Sequence, residues 1–325
     1  MKLVIERGLK DALKPELARL NTSLEKFASE SDGFLGELLS YVLIGSGKRV
    51  RPALVFLTSR LGNPPIEAVR DVAESVELVH IATLIHDDVI DKSALRRGRK
   101  TVYSEYGVDT AVLLGDHVYT RAFEKVADLN NPLLLKLIAK STSIMCAGEI
   151  EQLRRRFQYD LTEIEYFSFI EKKTAALFGV SARAGAILAG QPEPVQLALE
   201  SYGSHLGKAF QITDDVLDLT GSELVVGKTL RTDLLNGKMT LPLIHFRDHA
   251  PAAFDIKRFL EMVDLQNASI NTLIEQMNET GSIHYAEVIA KSHVQAALRE
   301  LDKVPTSPSK DLLVSLAELL LKRDA

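Results

Sequence analysis

Apolar residues recur at helical spacing along most of the chain. The clearest stripe precedes Asp87 and consists of Val69, Val72, Ala73, Val76, Val79 and Thr83. A repeat of three and four residues is typical of a helix with one buried face, so this segment is predicted to be a long helix that begins near Ile66. Similar patterns predict helices over residues 108–129, 132–153, 162–189, 195–219 and 285–302. Alternating patterns with Asn-Gly or Asp-Gly turns are scarce, so we predict an all-α protein.

The breaks between these helices are short. Gly, Asn and Pro cluster at residues 62–65, 130–132, 190–192 and 305–308. Each break has the length of a connection between packed helices, and none resembles an interdomain linker. The sequence also lacks a fixed-period repeat. We therefore expect residues 1–325 to form a single domain.

Composition excludes several classes of protein. Hydrophobic residues make up 46% of the chain and charged residues 26%, as in globular proteins. A net charge of -5 argues against broad nucleic-acid binding. Charges interrupt the first twenty residues as well as the longer apolar stretches, so neither a signal peptide nor a membrane span is expected. The single cysteine, Cys146, excludes an internal disulfide and fits a reducing compartment, which predicts a cytoplasmic protein.

An aspartate cluster, Asp87-Asp88-Val89-Ile90-Asp91, ends the predicted long helix. Residues four apart on a helix lie one turn above each other, so the carboxylates of Asp87 and Asp91 are expected to be close together. Magnesium relieves the repulsion within such a pair, because it prefers oxygen ligands and shares them with water and substrate phosphates. The first aspartate cluster, residues 87–91, is therefore a candidate half-site for a diphosphate.

The same spacing recurs in a second aspartate cluster, formed by Asp214, Asp215 and Asp218. One such cluster is often no more than a solvated acidic face of a helix. Both clusters, however, lie in strongly apolar sequence, where an unpaired carboxylate is costly to desolvate. The repetition favours metal binding over a solvated face.

Basic residues recur near the aspartates. In chain order they include Lys48, Arg51, Arg96, Arg97, Lys173, Lys228 and Lys238. Lys48 and Arg51 are three apart and would share a face if a helix starts there. An isolated basic pair is most often solvated surface, but recurrence beside aspartates favours diphosphate binding by arginine forks and lysine charges.

These motifs occur in the same order in a known family. The sequence resembles the trans-isoprenyl diphosphate synthases over nearly its whole length. The resemblance rests on Gly47-Lys48-Arg49-Val50-Arg51-Pro52, Leu84-Ile85-His86-Asp87-Asp88-Val89-Ile90-Asp91, Arg96-Arg97-Gly98, Lys173-Thr174 and Phe210-Gln211-Ile212-Thr213-Asp214-Asp215-Val216-Leu217-Asp218. It implies an all-α helical bundle of the isoprenoid synthase type with a central active-site cavity. Lys100 departs from the pattern, since many members carry proline there.

The resemblance also implies roles for individual residues. Direct ligands of Mg²⁺ would be Asp87, Asp91 and Asp214, and the residues that assist through metal-bound water or nearby basic groups would be Asp88, Asp215 and Asp218. Isopentenyl diphosphate would be bound by Lys48, Arg51, His80 and Arg97. The allylic diphosphate, farnesyl diphosphate or a similar molecule, would be bound by Arg96, Lys173, Thr174, Gln211, Lys228 and Lys238. His86 is expected to be structural.

The implied reaction is ionisation, condensation and elimination. Mg²⁺ and basic residues draw off the allylic diphosphate, and the double bond of isopentenyl diphosphate attacks the resulting cation. Charge stabilisation in a water-excluded site is the main task of the protein. Lys173, Thr174 and Gln211 would position the departing diphosphate, which is the candidate proton acceptor.

Product length is expected to depend on the cavity beneath the first aspartate cluster. Ala82 and Thr83 lie about one helical turn before Asp87, and both are small. Small residues here resemble the medium- and long-chain members, such as heptaprenyl and octaprenyl diphosphate synthases. Candidates for the cavity floor are Val76, Val79, Ile144, Met145 and Cys146. The resemblance also implies a homodimer, and release of a long product predicts a peripheral contact with a membrane.

Three alternative functions share part of this pattern. A shorter-chain farnesyl or geranylgeranyl diphosphate synthase would share every motif. A class I terpene cyclase also uses an aspartate-rich helix, but it has no need for basic sites for two diphosphates. A regulatory subunit of a heteromeric synthase tends to lose one or both aspartate clusters, and both are intact here.

Overall fold

The computed structural model describes residues 2–44, 47–96, 98–221, 232–250, 257–259 and 267–321. The helices used below are α1 (Lys2–Ser29), α2 (Gly33–Leu43), α3 (Val50–Ser59), α4 (Ile66–Ile90), α5 (Val102–Ala127), α6 (Pro132–Arg154), α7 (Glu163–Ile170), α8 (Ala176–Leu188), α9 (Glu193–Thr220), α10 (Thr232–Leu235), α11 (Leu241–His249), α12 (Asn267–Glu279), α13 (Ser282–Glu300) and α14 (Pro308–Leu321). A π-helical turn, Glu171–Ala175, joins α7 to α8, and a 3-10 turn, Leu301–Lys303, follows α13. The all-α prediction is confirmed.

The predicted helices agree closely with the observed ones. Helix α4 begins at Ile66, as expected, and α6 and α9 match their predicted ranges within a few residues. The segment predicted as one helix over 162–189 comprises α7, the π-helical turn and α8. Helix α5 contains Gly107 with φ 84°, a conformation that glycine adopts without strain, so its regular part starts near the predicted residue 108.

Two features near the amino-terminal motifs differ from the prediction. Helix α3 begins at Val50, so Lys48 precedes the helix and the condition for a helical face shared with Arg51 is not met. The basic segment after the first aspartate cluster forms a small antiparallel hairpin of β1 (Leu95–Arg96) and β2 (Arg99–Lys100). Strands of two residues are too short to leave a periodic pattern in the sequence.

Helix α5 packs along α4 in the antiparallel direction. Ser75 Oγ donates a hydrogen bond to the carbonyl oxygen of Ala122 at 2.8 Å, and His86 Nε2 lies 3.1 Å from the carbonyl oxygen of Val112. Residue numbers therefore rise along one helix as they fall along the other. The first aspartate cluster lies at the end of α4 next to the start of α5, and α5 leads away from it.

Glycines allow helices α3, α8 and α9 to approach closely. A Cβ atom on Gly185 of α8 would lie 2.5 Å from the carbonyl oxygen of Val55 in α3. A Cβ atom on Gly203 of α9 would lie 2.5 Å from the carbonyl oxygen of Phe178 in α8. Real side chains do not tolerate such distances, so glycine is required at both contacts.

The core is continuous along α9. The first part of this helix contributes Leu199, Tyr202 and Leu206 to the larger apolar cluster, which also contains the buried stripe of α4. Its last turns contribute Ile212 and Val216 to a second apolar cluster with α7, α11, α12 and α13. Across the described ranges, no helix combines the length and the apolar character needed to cross a membrane.

Candidate active site

A cavity of about 650 Å³ lies between α4, α6, the π-helical turn and α9. Its polar wall includes Arg51, His80, His86, Asp87, Asp91, Arg96, Glu149, Lys173, Thr174, Gln211, Asp214, Asp233 and Lys238. Both aspartate clusters thus contribute to one cavity, together with most of the basic residues predicted to bind diphosphate.

The first aspartate cluster occupies the last turn of α4. Asp87 and Asp91 both line the cavity, as their spacing predicts, and Asp91 is the residue that caps the helix. Asp88 is buried and accepts a hydrogen bond from Nε of Arg96 at 2.8 Å. Burial raises the pKa of Asp88 to about 6, although Arg96 opposes the shift.

Charges around Asp87 and Asp91 act in opposite directions. Burial raises the pKa of Asp87; Lys173 opposes this effect, while Glu149 and Asp91 add to it. Burial favours a higher pKa for Asp91 as well, but Lys238 and Lys173 outweigh it, and the pKa lies below its ordinary value. Lys238 Nζ is 3.0 Å from a carboxylate oxygen of Asp91.

The second aspartate cluster presents one carboxylate to the cavity. Asp214 lines it, whereas Asp215 and Asp218 are buried within the protein. Asp215 accepts hydrogen bonds from the hydroxyl of Tyr166 at 2.7 Å and from Nε2 of Gln211 at 2.8 Å. Burial raises its pKa above the ordinary value. Asp218 accepts a hydrogen bond from the backbone amide of Asp233 at 3.2 Å.

The π-helical turn positions Lys173 and Thr174. Such turns insert an extra residue into a helix and are frequent at functional sites. Thr174 Oγ1 donates to Oε1 of Gln211 at 2.6 Å, and Lys173 Nζ lies 2.5 Å from Glu149 and 3.3 Å from Oε1 of Gln152. Burial alone would lower the pKa of Lys173, but Asp87 and Glu149 hold it above its ordinary value. Lys173 is therefore a fixed cation beside the first aspartate cluster.

Arg51 provides a buried cation on another side of the cavity. Its guanidinium carbon lies 4.6 Å from the ring centroid of Phe178. Burial lowers the pKa of Arg51 to about 10, with Glu77 opposing the shift, so the group stays charged near neutral pH. Within the part of the chain that the structure describes, its Nε is buried without a hydrogen-bond partner. This atom could serve an anionic ligand.

The remaining basic residues predicted to bind diphosphate do not all line the cavity. His80, Arg96 and Lys238 line the cavity. Lys48 is exposed and lies outside the cavity wall. Arg97 and Lys228 lie outside the described residues.

Sequence reasoning missed several residues of the site. Glu149 is buried beside Lys173, Arg156 forms an ion pair with Asp91, and Asp233 lies 3.2 Å from Lys238. Glu149 left a signal, since it interrupts an apolar helical stretch, but Arg156 and Asp233 carry no comparable pattern. Their roles arise from contacts between segments far apart in the chain.

Some of the residues predicted to govern product length line the cavity, and others do not. Thr83 lines the cavity, but Ala82 is fully buried in the core and is absent from the described wall. Of the candidates for the floor, Met145 and Cys146 line the cavity. His86 combines a position in the wall with the 3.1 Å contact to the backbone of α5, in line with a structural role.

The donor set fits a divalent oxygen-seeking cation. Asp87, Asp91 and Asp214 project into one cavity from α4 and α9, and Asp87 experiences the negative charge of Asp91 and Glu149. Among the described residues, no group of three or more His, Cys, Asp or Glu side chains could hold a metal ion alone. The carboxylates that line the cavity could bind a divalent cation together with water and substrate phosphates.

Comparison with known proteins identifies a family whose members act on prenyl diphosphates, in agreement with the charged residues of the cavity wall. A sequence model of the polyprenyl synthetase family matches residues 32–278. The chain is 36% identical to heptaprenyl diphosphate synthase component 2 of Geobacillus stearothermophilus, over 96% of this chain and 97% of that protein. It is 38% identical to octaprenyl diphosphate synthase of Haemophilus influenzae, over 95% of this chain and 94% of that protein.

A solved structure extends the similarity to the fold. The crystal structure of a polyprenyl synthase from Caulobacter crescentus, complexed with calcium and isoprenyl diphosphate, superposes with a TM-score of 0.91 at 30% identity, covering 99% of this chain and 98% of that one. The fold is therefore the all-α isoprenoid synthase fold, as predicted. By sequence and by structure, the chain belongs to the polyprenyl synthetase family.

Proposed function

We propose that this prenyltransferase condenses isopentenyl diphosphate with an allylic diphosphate to give a trans-polyprenyl diphosphate. One observation carries the proposal: two aspartate clusters and basic side chains from several elements line a single cavity. A reaction between two diphosphates needs such a concentration of opposite charges, because each diphosphate must be bound and one of them must leave.

The allylic diphosphate is assigned to the basic groups nearest the aspartates. Lys173 and Lys238 are held by Glu149 and Asp91, and Arg96 is held by Asp88. A diphosphate that entered with its metal could exchange these partners, so that the carboxylates would bind the metal and the cations would bind the phosphates. The allylic set also includes Thr174, Gln211 and Lys228.

Isopentenyl diphosphate is assigned to the side of the cavity formed by α3 and the middle of α4. Arg51 and His80 line this side, and the buried Nε of Arg51 supports binding of an anion. Lys48 and Arg97 complete the set by analogy with the family. Two separate basic sides distinguish this site from that of a terpene cyclase, which binds one diphosphate.

Asp87, Asp91 and Asp214 are the residues that would hold Mg²⁺. When bound, the metal would supply charge neutralisation for the departing diphosphate. Lys173 would add a permanent positive charge at that position, since Asp87 and Glu149 keep it protonated. Asp215 would act indirectly, because its carboxyl group orients Gln211. Asp88 and Asp218 would assist from outside the direct ligand set.

The groups around Thr174 would position the allylic substrate. Its hydroxyl and Gln211 are joined by a 2.6 Å hydrogen bond, and the apolar side chains of Leu84, Leu153 and Phe210 line the same cavity. Apolar walls exclude the water that would quench an allylic cation. The departing diphosphate, close to Lys173, is the proposed acceptor of the proton released on elimination.

A medium- or long-chain product is favoured over a shorter one. Thr83 is a small residue in the cavity wall, and relatives include heptaprenyl and octaprenyl diphosphate synthases. A relative named geranylgeranyl diphosphate synthase, from Methanosarcina mazei, is 33% identical, so the shorter-chain alternative remains the second candidate. Farnesyl diphosphate is the proposed starter.

We also propose that the chain acts as a homodimer in the cytoplasm. The single cysteine supports a reducing compartment. The Geobacillus relative is named as one component of a synthase, which raises a heteromeric assembly as the alternative. Light scattering of the purified chain, combined with its activity alone, separates the two: an active species of twice the chain mass supports the homodimer.

The reaction is tested with purified protein, magnesium, isopentenyl diphosphate and farnesyl diphosphate. Products are dephosphorylated and identified by mass spectrometry. A ladder that ends in one long prenyl alcohol is expected. A product no longer than geranylgeraniol would overturn the assignment of chain length, and absence of condensation with geranyl, farnesyl and geranylgeranyl diphosphates would overturn the proposed activity.

A further inference from the structure

A chain of three hydrogen bonds leads from the cavity wall into the core. Thr174 and Gln211 line the cavity, and the hydroxyl of Thr174 donates to Oε1 of Gln211 at 2.6 Å. Nε2 of Gln211 donates to one carboxylate oxygen of Asp215 at 2.8 Å, and the hydroxyl of Tyr166 donates to the other at 2.7 Å. Tyr166 is buried and absent from the described wall, so it is the core end of a chain that reaches the cavity at Thr174.

The donor and acceptor groups give this chain one direction. Both oxygens of the Asp215 side chain act as acceptors, so Gln211 turns its amide nitrogen towards them and its carbonyl oxygen towards Thr174. A carbonyl oxygen accepts only, so the hydroxyl of Thr174 is the donor. The orientation of two groups in the cavity wall is thus set by a carboxyl group in the core, and that group is held by Tyr166.

The π-helical turn brings the two ends of the chain to one face of their helix. Tyr166 and Thr174 are eight residues apart, and eight residues of a regular α-helix would leave their side chains about 80° apart around the axis. One inserted residue removes about 100° of this rotation, so Thr174 comes within about 20° of Tyr166. Both side chains thereby face α9, which carries Gln211 and Asp215 one turn apart.

Other contacts hold the backbone of this turn in place. Glu171, its first residue, accepts a hydrogen bond from Ser204 of α9 at 3.0 Å and forms an ion pair with Lys208. The ring of Tyr166 packs in the second apolar cluster, and phenylalanine would preserve that packing. Loss of the Tyr166 hydroxyl would therefore free the carboxyl group of Asp215 without displacing the helix.

We propose that Tyr166 is a positioning residue for the condensation. Its hydroxyl holds Asp215, and through Asp215 it fixes Gln211 and Thr174 against the allylic diphosphate. This inference rests on the proposed function, in which Thr174 and Gln211 bind that substrate. Without the Tyr166 hydroxyl, the two groups in the wall would adopt several orientations, and a poorly placed substrate reacts more slowly.

The test is Tyr166→Phe, which removes the hydroxyl and keeps the ring. The rate constant of the first condensation is measured in a single turnover, with the enzyme in excess over farnesyl diphosphate and with saturating isopentenyl diphosphate and magnesium. It is expected to fall about 10- to 100-fold, because the allylic substrate is less well positioned. The KM for isopentenyl diphosphate should stay within about twofold of the parental value, since that substrate is assigned to the side of Arg51.

Tyr202→Phe is the matched control. Tyr202 is also buried and absent from the described wall, and its hydroxyl donates to the backbone carbonyl oxygen of Leu313 at 2.6 Å. Each variant loses one buried hydrogen bond of a tyrosine, so urea unfolding should show similar losses of stability. Tyr202→Phe should nevertheless keep the parental rate constant. An equal slowing of the two variants would trace the effect to lost stability and would overturn the inference.

A double-mutant cycle tests whether Tyr166 acts through Thr174. Thr174→Val removes the hydroxyl at the cavity end, and in that background the further loss from Tyr166→Phe is expected to fall below about threefold. The same loss in both backgrounds would overturn the inference. A parental rate constant in Tyr166→Phe alone would also overturn it and would leave the proposed function intact. If the parent forms no product, the proposed function and the inference both fail.

Discussion

The two aspartate clusters have the same spacing but different surroundings. In the first, Asp87 and Asp91 both line the cavity, at the point where α4 ends. In the second, α9 continues past the motif, and of its three aspartates the cavity wall contains Asp214. Asp215 and Asp218 are buried within the protein and accept hydrogen bonds from protein groups. Equal spacing therefore does not imply equal roles, because neighbouring elements decide which carboxylates remain available to a ligand.

The largest expected effect separates a cavity aspartate from a buried one. Asp87→Asn should lower kcat at least about 100-fold, since a preorganised charge at the reacting diphosphate is lost. Asp218→Asn should retain activity within a few-fold, because its amide oxygen can still accept the bond from Asp233. Steady-state kinetics at saturating substrate measure both, with circular dichroism as the check on folding. An equal loss of kcat in the two variants would contradict the different roles assigned to the cavity aspartate and the buried aspartate.

A second test concerns the metal requirement. Asp214→Asn removes the carboxylate that the second cluster presents to the cavity, and the magnesium concentration for half-maximal rate should rise at least about 100-fold, more than the loss typical of a residue that only orients a ligand. Asp215→Asn should change this concentration much less, since its side chain binds Tyr166 and Gln211. Magnesium titrations of the initial rate distinguish the variants. The same rise in both would mean that the second cluster acts as one unit.

A third test concerns stability, for which Asp215 is expected to matter more than Asp214. Asp215→Ala should lower the free energy of unfolding by about 1–3 kcal/mol, because the hydroxyl of Tyr166 and the amide of Gln211 lose their buried acceptor. Asp214→Ala should have a smaller effect on stability, since its side chain faces the cavity. Urea unfolding followed by circular dichroism measures the difference. A larger loss for Asp214→Ala would overturn the structural role given to Asp215.

The smallest expected effect is a pH-dependent stabilisation by magnesium. Asp88 has a raised pKa of about 6, so its protonated form favours the folded state. That contribution is fully present below the unfolded pKa of 3.8 and is lost as pH rises through 6. Above pH 6 the ionised cluster repels itself, and magnesium should raise Tm by a few degrees. Melting curves at pH 5 and pH 7.5 test this; an equal shift at both pH values would contradict it.

The sequence predicted the elements with strong periodicity and the residues with repeated spacing. Helices α4 and α6 were predicted because their buried stripes continue over several turns. The π-helical turn was missed, because one inserted residue in a helix changes hydrogen-bond partners and leaves the hydrophobic pattern almost unchanged. The contacts of Asp91 with Arg156 and Lys238 join residues distant in sequence, so no local pattern predicts them.

The position of Lys48 illustrates the same limit. Its spacing from Arg51 indicates a shared helical face only if the helix includes both residues, and α3 begins between them, at Val50. Where a helix starts depends on backbone conformation: Arg49 has φ 49°, in the left-handed region, and its side chain is paired with Glu77 of α4 at 2.6 Å. A distant glutamate thus helps to fix the conformation just before the helix starts.

The chain carries its own reporter of product growth. Cys146 is the single cysteine of the sequence, and it lies in the cavity wall. A thiol-reactive dye would therefore label one position of the unmodified protein. Samples taken at successive times of the reaction and exposed briefly to the dye would show how labelling falls as the cavity fills, without introducing any substitution.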